Sequence, residues 1–322
     1  MKITLQEAAA LLLAHDRYCI YTHRRPDGDT LGSAAALCHA LRSVGKTAYV
    51  APNAELTPRY AFLTAALQPP ADFVASYALV CDTASVKQLS VEGLAAWEAN
   101  PDAFLLSIDH HASNSGFINN THVQPGCAAC GEVVFQLLAP LSAPLTVDIA
   151  RAIYVAVATD TGCFRYANTT ADSLAIASVV SALPIDLAKL NYTLFIEKSR
   201  QRITLERQLL QHLRFFCGGA VCSMRLTLGM LQESGAEQDD LDSMAGLPRS
   251  IQGVVCGLFL REEADGCIKV SARSSERLNV SDLCAQFGGG GHARAAGCTV
   301  AGQTIAQVEE AFVAAIETLL RE

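Results

Sequence analysis

Short apolar runs alternate with helical patterns through the first half of the chain. "YCIYT" (18–22) is one such run, followed by a turn and then by "LGSAAALCHALRSV", apolar along one helical face. "TAYVA", "YALVCD" and "AFLLSIDHH" predict further strands, while "GEVVFQLLAPL" and "VDIARAIYVAVATDTG" predict helices. Strands alternating with helices predict an α/β fold, a mostly parallel sheet flanked by helices. From about Ser181 to Phe216 the pattern changes, and "LFIEKSRQRITLERQLLQHLRFF" predicts one long, partly exposed linker helix. Beyond it, "GAVCSMRLTL", "IQGVVCGLFLRE" and "CIKVSARSS" predict strands, and "GQTIAQVEEAFVAAIETLL" an amphipathic closing helix. The expected organisation is an N-terminal α/β domain over 1–185, a linker helix over 186–216 and a smaller C-terminal α/β domain over 217–322.

In parallel sheets ligands gather at the carboxyl ends of the strands, and the polar residues here follow that rule. His23 follows "YCIYT", Asp82 ends "YALVCD", Asp109-His110-His111 ends "AFLLSIDHH", and Asp160 ends an apolar helical run. Pro26 and Gly28 give "HRRPDGD" the geometry to aim Asp27 and Asp29 the same way. That stretch by itself also reads as a Pro-Asp-Gly turn with a helix cap at Asp29 or Thr30. A calcium loop is excluded, because counting from Asp27 the fifth position is Leu31 and the twelfth Cys38. An Asp after a strand is often a cap, but a buried carboxylate such as Asp82 needs a cation or donor nearby. Adjacent histidines on an extended chain face opposite ways, so one of His110 and His111 can ligate a metal while the other faces substrate. Together His23, Asp27, Asp29, Asp82, His110 and Asp160 form a mixed N/O donor set, suited to Mn²⁺ or Mg²⁺ rather than structural zinc. Two such ions can share a carboxylate and clamp a phosphoryl group.

Charge narrows the partners. A net charge of −8 argues against a long nucleic acid but leaves a small anionic substrate open. No apolar run reaches the ~18 residues of a membrane span, and the N-terminal stretch carries Glu7, His15, Asp16 and Arg17 where a signal peptide would be apolar. The expected location is therefore cytoplasmic, away from any membrane. The twelve cysteines sit mostly in apolar contexts and read as small buried hydrophobes. Cys127 and Cys130 form the one C-x-x-C, without a second pair at zinc-finger spacing.

"FGGGGHARAAG" stands out in the second half. Gly288, Gly289, Gly290 and Gly291 let backbone N–H groups approach an anion, although the motif fits neither a Walker loop nor G-x-G-x-x-G. A flexible loop before a helix or strand is the plainer reading. His292 lies just behind the glycines. Lys269, Arg273, Arg277 and Arg294 outnumber Glu276 and Asp282 between residues 266 and 300, which makes the surface locally basic.

With these residues in view, the chain resembles the DHH superfamily of phosphoesterases. "HRRPDGDTLGS", "VCDTAS", "SIDHHASN" and "ATDTG" match in the family's order, and "VSARSS" with "FGGGGHARAAG" resembles its DHH-associated domain. By length and glycine motif it looks like the nano-RNase and phosphoadenosine-phosphate phosphatase (NrnA-like) type. The resemblance implies two divalent ions, Mn²⁺ first and Mg²⁺ second. His23, Asp27 and Asp82 would hold one; Asp29, Asp82, His110 and Asp160 would hold the other, with Asp82 bridging. It implies that His111 faces the scissile phosphate and that Asp109 orients a neighbour. Arg273, Ser274, the glycines 288–291, His292 and Arg294 would hold the far end of a short single-stranded RNA or small nucleotide. Arg24 and Arg25 depart from the smaller residues of many relatives, at the entrance rather than among the ligands. Cyclic di-AMP phosphodiesterase and pyrophosphatase or exopolyphosphatase are the enzyme alternatives; a metal-bound nucleotide sensor is the non-enzyme one.

Overall fold

The apolar runs of the first half pair side by side. β1 (Tyr18–Tyr21) lies between β2 (Ala48–Val50) and β3 (Tyr77–Cys81), and the sheet continues through β4 (Phe104–Asp109) to β5 (Thr121–Val123), every neighbour parallel. The computed structural model describes residues 2–241, 244–275 and 277–321, in two compact units, Met1–Glu197 and Lys198–Glu322. Glu276, counted above among the acids of the glycine-rich region, lies outside the described residues.

The alternation along β3 shows why both faces of the first sheet are covered. Leu79 and Cys81 point into a core built with the helices Leu5–Ala14, Gly28–Ser43, Cys130–Leu141 and Val147–Asp160. Ala78 and Val80 point the other way, to Leu89, Phe104 and Ile118 with Trp97 packed beside them. The strand order β2-β1-β3-β4-β5 reverses between β1 and β3, which opens a crevice at their carboxyl ends.

Small residues set how closely the helices approach. A Cβ at Gly32 would lie 2.5 Å from the Ala152 carbonyl oxygen and 2.9 Å from the Ala156 nitrogen, so the helix Gly28–Ser43 runs almost backbone to backbone with Val147–Asp160. That contact holds the helix carrying Asp29 against the helix ending in Asp160.

The connector is shorter than its pattern predicts. Tyr192–Ile196 forms a π-helical turn, Glu197 is extended, and the helix proper spans Arg200–Gln211. The Ser199 hydroxyl accepts from the Arg202 N–H and so starts a new helix where the pattern predicts an unbroken one. "LRFF" is not helical: Arg214–Phe216 forms β6.

The second unit is a mixed sheet. β7 (Val221–Leu226), β8 (Cys256–Glu262), β9 (Ile268–Ser274), β10 (Gly290–His292) and β11 (Ala295–Val300) join β6 in the order β10-β11-β9-β8-β7-β6. Only β7 and β8 run parallel. Val308, Phe312 and Ile316 of the helix Ile305–Arg321 pack on one face with Leu258, Leu260 and Val270. Glu309 of that helix is buried and satisfied by the Ser223 hydroxyl (2.6 Å), by Arg225 (Nε, 2.9 Å) and by Arg214.

Gly32→Val, which places branched methyls into the Ala152–Ala156 backbone, is expected to cost about 1–3 kcal/mol or more. Urea unfolding checks it, and an unchanged midpoint would contradict the close approach.

Candidate active site

The turn after β1 begins with a cap. Asp27 Oδ1 accepts from the N–H groups of Asp29 (3.0 Å) and Thr30 (3.1 Å), so Asp27 is the N-cap of Gly28–Ser43, rather than Asp29 or Thr30. Pro26 ends the turn, and the helix starts at Gly28, two residues earlier than a cap at Asp29 would start it. The same Asp27 Oδ1 lies 3.6 Å from His23 Nε2. Cap and candidate ligand are one residue.

Asp29 is swallowed by the first turn of the helix. Its carboxylate accepts from the Cys130 N–H (2.7 Å), the Gly131 N–H (3.0 Å) and the Ser33 hydroxyl (3.1 Å). Ala129, at the start of Cys130–Leu141, has no capping side chain of its own. Asp29 caps that helix from across the core, and its Oδ2 still lies 3.7 Å from His110 Nε2.

Asp82 sits at the centre. It follows β3 with φ of 54°, left-handed backbone that a non-glycine residue adopts only at a cost. Its Oδ2 is 3.6 Å from His23 Nε2, and its Oδ1 is 3.4 Å from both His110 Nε2 and His111 Nδ1. Asp82 Oδ1 is buried and has no hydrogen bond among the described residues. Asp160 Oδ2, at the end of its helix, is 3.6 Å from His110 Nε2. The ligand atoms of His23, Asp27 and Asp82 lie within 4.8 Å of one another, as do those of Asp29, His110 and Asp160, and those of Asp82, His110 and His111.

The histidines are oriented from behind. His23 Nδ1 lies 2.8 Å from the Arg24 carbonyl and His110 Nδ1 3.1 Å from the Cys127 carbonyl. A carbonyl only accepts, so both Nδ1 atoms carry the proton, and in the neutral imidazoles the Nε2 lone pairs face the carboxylates. That arrangement, with the orphaned Asp82 oxygen, fits divalent cations.

His110 and His111 do not face opposite ways. The chain leaves the extended conformation at Asp109, whose Oδ1 accepts the N–H groups of His110 (2.7 Å) and His111 (3.0 Å) and the His111 Nδ1–H (2.8 Å). The two rings pack 4.4 Å apart on the same cluster. Asn114 Nδ2 donates to Asp109 Oδ2 (2.5 Å). Ser33, Asn114, the Cys127 carbonyl and the Cys130 and Gly131 N–H groups are functional supports that the sequence reading passed over. Ser33 lies one helical turn after Asp29, and Asn114 ends the quoted "IDHHASN"; these were the available signals.

The electrostatics follow from crowding. Burial opposes a charge on His23, yet Asp27 and Asp82 push it up to about 11. Burial likewise opposes a charge on His110, and Asp82, Asp29 and Asp160 raise it to about 10. For Asp82, burial is outweighed by contacts with His110 and His23, which hold it below the usual carboxylate range. Asp160 is pushed up to about 6, chiefly by burial. The Asp109 hydrogen bond raises His111. The cluster attracts positive charge strongly enough to keep protons on two imidazoles.

Cys127 and Cys130 are buried free thiols, as is most of the cysteine complement. Burial pushes Cys127 up to about 12 and Cys130 well above the ordinary thiol value, which is the opposite of a reactive pair.

In the second unit, the N–H groups of Gly288 and Gly289 donate to the Ala285 (3.1 Å) and Cys284 (2.9 Å) carbonyls, closing the helix Val280–Ala285. Those two donors are spent locally, which limits the expected anion nest to Gly290 and beyond. Gly289 is needed for packing, since a Cβ there would lie 2.2 Å from the Gly297 carbonyl oxygen. Gly290 and His292 belong to β10 instead of a loop. Arg294 donates to the Leu278 carbonyl (2.9 Å), as does the Ser274 hydroxyl (2.6 Å). A shallow groove of about 400 Å³ runs beside them, lined by Lys269, Ser271, Arg273, Gly290, Gly297 and Thr299 among others.

Two family models cover this chain: the DHH family N-terminal domain over residues 17–157 and the DHHA1 domain over 218–322. The bifunctional oligoribonuclease and PAP phosphatase NrnA of Thermus thermophilus is 32% identical over 92% of this chain and 88% of its own. The chain belongs to the DHH superfamily of phosphoesterases, among its NrnA-like members. The Mycoplasma pneumoniae protein of the same description is 26% identical over 93% of this chain and 92% of its own. An exopolyphosphatase-related protein of Bacteroides fragilis has the same fold, with a TM-score of 0.86, 24% identity and coverage of 99% and 97% of the two chains. The chain is a metal-dependent hydrolase of that superfamily, and the cluster around Asp82 is its candidate metal centre. No helix among the described residues is long and apolar enough to cross a membrane.

In the metal-free chain the protonated His23 and His110 stabilise the fold fully below pH 6.5, and this is lost as pH rises toward about 10–11. Metal ions need the neutral imidazoles, so binding is expected to release about two protons near pH 7.5 and to strengthen as pH rises. Titration calorimetry in two buffers of different ionisation enthalpy checks the protons, and melting scans check the rest. The metal-induced rise in Tm grows from pH 6 to 9; a pH-independent increment contradicts the assignment.

Proposed function

We propose that this chain hydrolyses short oligoribonucleotides, pApA and nano-RNA, and 3′-phosphoadenosine-5′-phosphate, with two Mn²⁺ ions. The observation that supports it most is the His–carboxylate cluster around Asp82, set in a chain alignable almost end to end with oligoribonuclease and PAP phosphatase relatives. His23, Asp27 and Asp82 would hold one ion; Asp29, Asp82, His110 and Asp160 the other. Such a pair supplies an activated water and neutralises charge on the phosphoryl oxygens. The chain's own residues do the rest. Asp109, fixed by Asn114, keeps the His111 Nδ1 proton in place, which leaves Nε2–H of the imidazolium to donate to a phosphate oxygen or the leaving group. Asp82 holds two ligand sets in register from one carboxylate.

The division of labour in our reading assigns the cut to the 1–185 domain and the hold on the substrate's far end to the 217–322 domain, the linker 186–216 joining them. Arg273, Ser274, Gly290, Gly291, His292 and Arg294 would supply that hold, without the Gly288 and Gly289 donors that the helix end takes up. The shallow groove with Lys269 and Arg273 favours a short anionic ligand over a polymer. A hold on the substrate's far end would act as a size filter that favours short substrates. The work is that of a cytoplasmic enzyme in our reading.

A Mn²⁺-dependent turnover panel tests this, comparing pApA, a 5-mer RNA, a 24-mer RNA, 3′-phosphoadenosine-5′-phosphate, cyclic di-AMP and pyrophosphate. The expected result is preference for pApA and the 5-mer, abolished by chelation and by Asp82→Ala. Equal cleavage of the 24-mer would sink the size filter, and preference for pyrophosphate or cyclic di-AMP would reassign the second domain. Nucleotide binding without turnover in the parent would make the chain a sensor.

A further inference from the structure

The segment that follows Asp160 carries backbone strain for which the metal ligands have no use. Gly162, Cys163 and Phe164 all have left-handed φ angles, 57°, 58° and 62°. Single left-handed residues are common at helix ends, but a run of three that includes a cysteine and a phenylalanine is costly for L-residues. Surrounding contacts enforce it. Phe164 packs on Tyr154 with ring centroids 6.4 Å apart, and the Cys163 thiol meets Asn191 Oδ1 at 3.9 Å. The turn is then folded back on the site. Thr161 O accepts the N–H groups of both Arg165 and Tyr166 at 3.0 Å. Asn168 Nδ2 donates to Asp160 O (3.1 Å) and Ala128 O (3.2 Å), next to the Cys127 carbonyl that orients His110.

The strained turn presents two side chains. Arg165 Nε donates to the carbonyl of left-handed Gly162 (2.6 Å), which fixes the plane of an exposed guanidinium. Among the described residues its terminal nitrogens meet no carboxylate, although the chain's densest acidic cluster begins five residues away at Asp160. The Tyr166 ring lies flat on Gly162: a Cβ at that glycine would fall 2.4 Å from its Cζ. One ring face is thereby backed by main chain, yet 57% of Tyr166 remains exposed. A held guanidinium suits phosphate oxygens, and a backed aromatic face suits a stacked base.

We propose that Arg165 and Tyr166 form a nucleotide clamp on the catalytic unit, the guanidinium taking a phosphate next to the scissile one and the ring taking its base. The clamp rests on the nucleotide reading above and adds to it a specificity element that belongs to this chain's own turn. It makes the first unit discriminate a nucleotide from a base-free phosphoester before the second unit contributes anything.

The test uses the full Mn²⁺-loaded chain with Arg165→Ala, Arg165→Lys, Tyr166→Leu and Tyr166→Phe. Turnover is measured on pApA and on its abasic diribose analogue, and pApA affinity is measured with Ca²⁺ in place of Mn²⁺. Arg165→Ala is expected to raise KM about tenfold or more for both substrates, with lysine restoring part of it. Tyr166→Leu is expected to raise KM for pApA alone, with Phe at that position restoring it, and Mn²⁺ affinity is expected to match the parent throughout. Unchanged KM values, or a Tyr166→Leu loss equal for pApA and the abasic analogue, would overturn the clamp. So would weakened Mn²⁺ binding, which would mark the turn as a support for Asp160 only. A parent that binds pApA without cleaving it sinks the nuclease reading, and the clamp is then judged on the Ca²⁺ affinities.

Discussion

Charge concentration at Asp82 is the constraint around which the first unit is built. Four segments deliver carboxylates to one crevice, and Asp82 places an oxygen toward each of two histidines. Without cations such an arrangement is self-repelling, and the metal-free chain copes by holding protons on His23 and His110. Divalent ions held by these carboxylates and histidines would relieve the same repulsion. The left-handed backbone at Asp82 is the local cost of bringing that carboxylate to the middle.

The supports of this cluster are mostly backbone. Asp29 is fixed by the N-terminus of Cys130–Leu141, His110 by the Cys127 carbonyl, His23 by the Arg24 carbonyl, and Asp109 by the N–H groups that it turns back on itself. A site held in this way depends on how closely the elements pack, which explains the bare glycine at position 32, one helical turn after Asp29. The C-x-x-C is part of the same support: its first carbonyl aims a histidine, its last N–H donates to the capping carboxylate of Asp29, and its thiols are buried.

Much of this was legible from periodicity. Buried strands announce themselves as apolar runs, and acids at their ends mark the crevice, so the mostly parallel sheet and the grouping of His23, Asp27, Asp29, Asp82, His110 and Asp160 followed from pattern. What escaped depends on three-dimensional partners. Asp27 and Asp29 compete for the cap, and only the path of the turn decides between them. The facing of His110 and His111 hangs on whether the strand ends at Asp109 or beyond, which its own carboxylate settles by capping the turn. The linker helix broke at Ser199 because one side-chain cap outweighs a continuous amphipathic pattern. β6, β10 and β11 are short or glycine-rich and carry little apolar alternation; their sheet neighbours make them strands. The glycines read as an anion nest are partly a helix terminus and partly room for β11.

The most direct test of the account is diffraction from Mn²⁺-soaked crystals at the manganese edge. Two anomalous peaks about 3.5–4 Å apart, both within ligand distance of Asp82, are the predicted result. A single peak, or two peaks that do not share the Asp82 carboxylate, would contradict it.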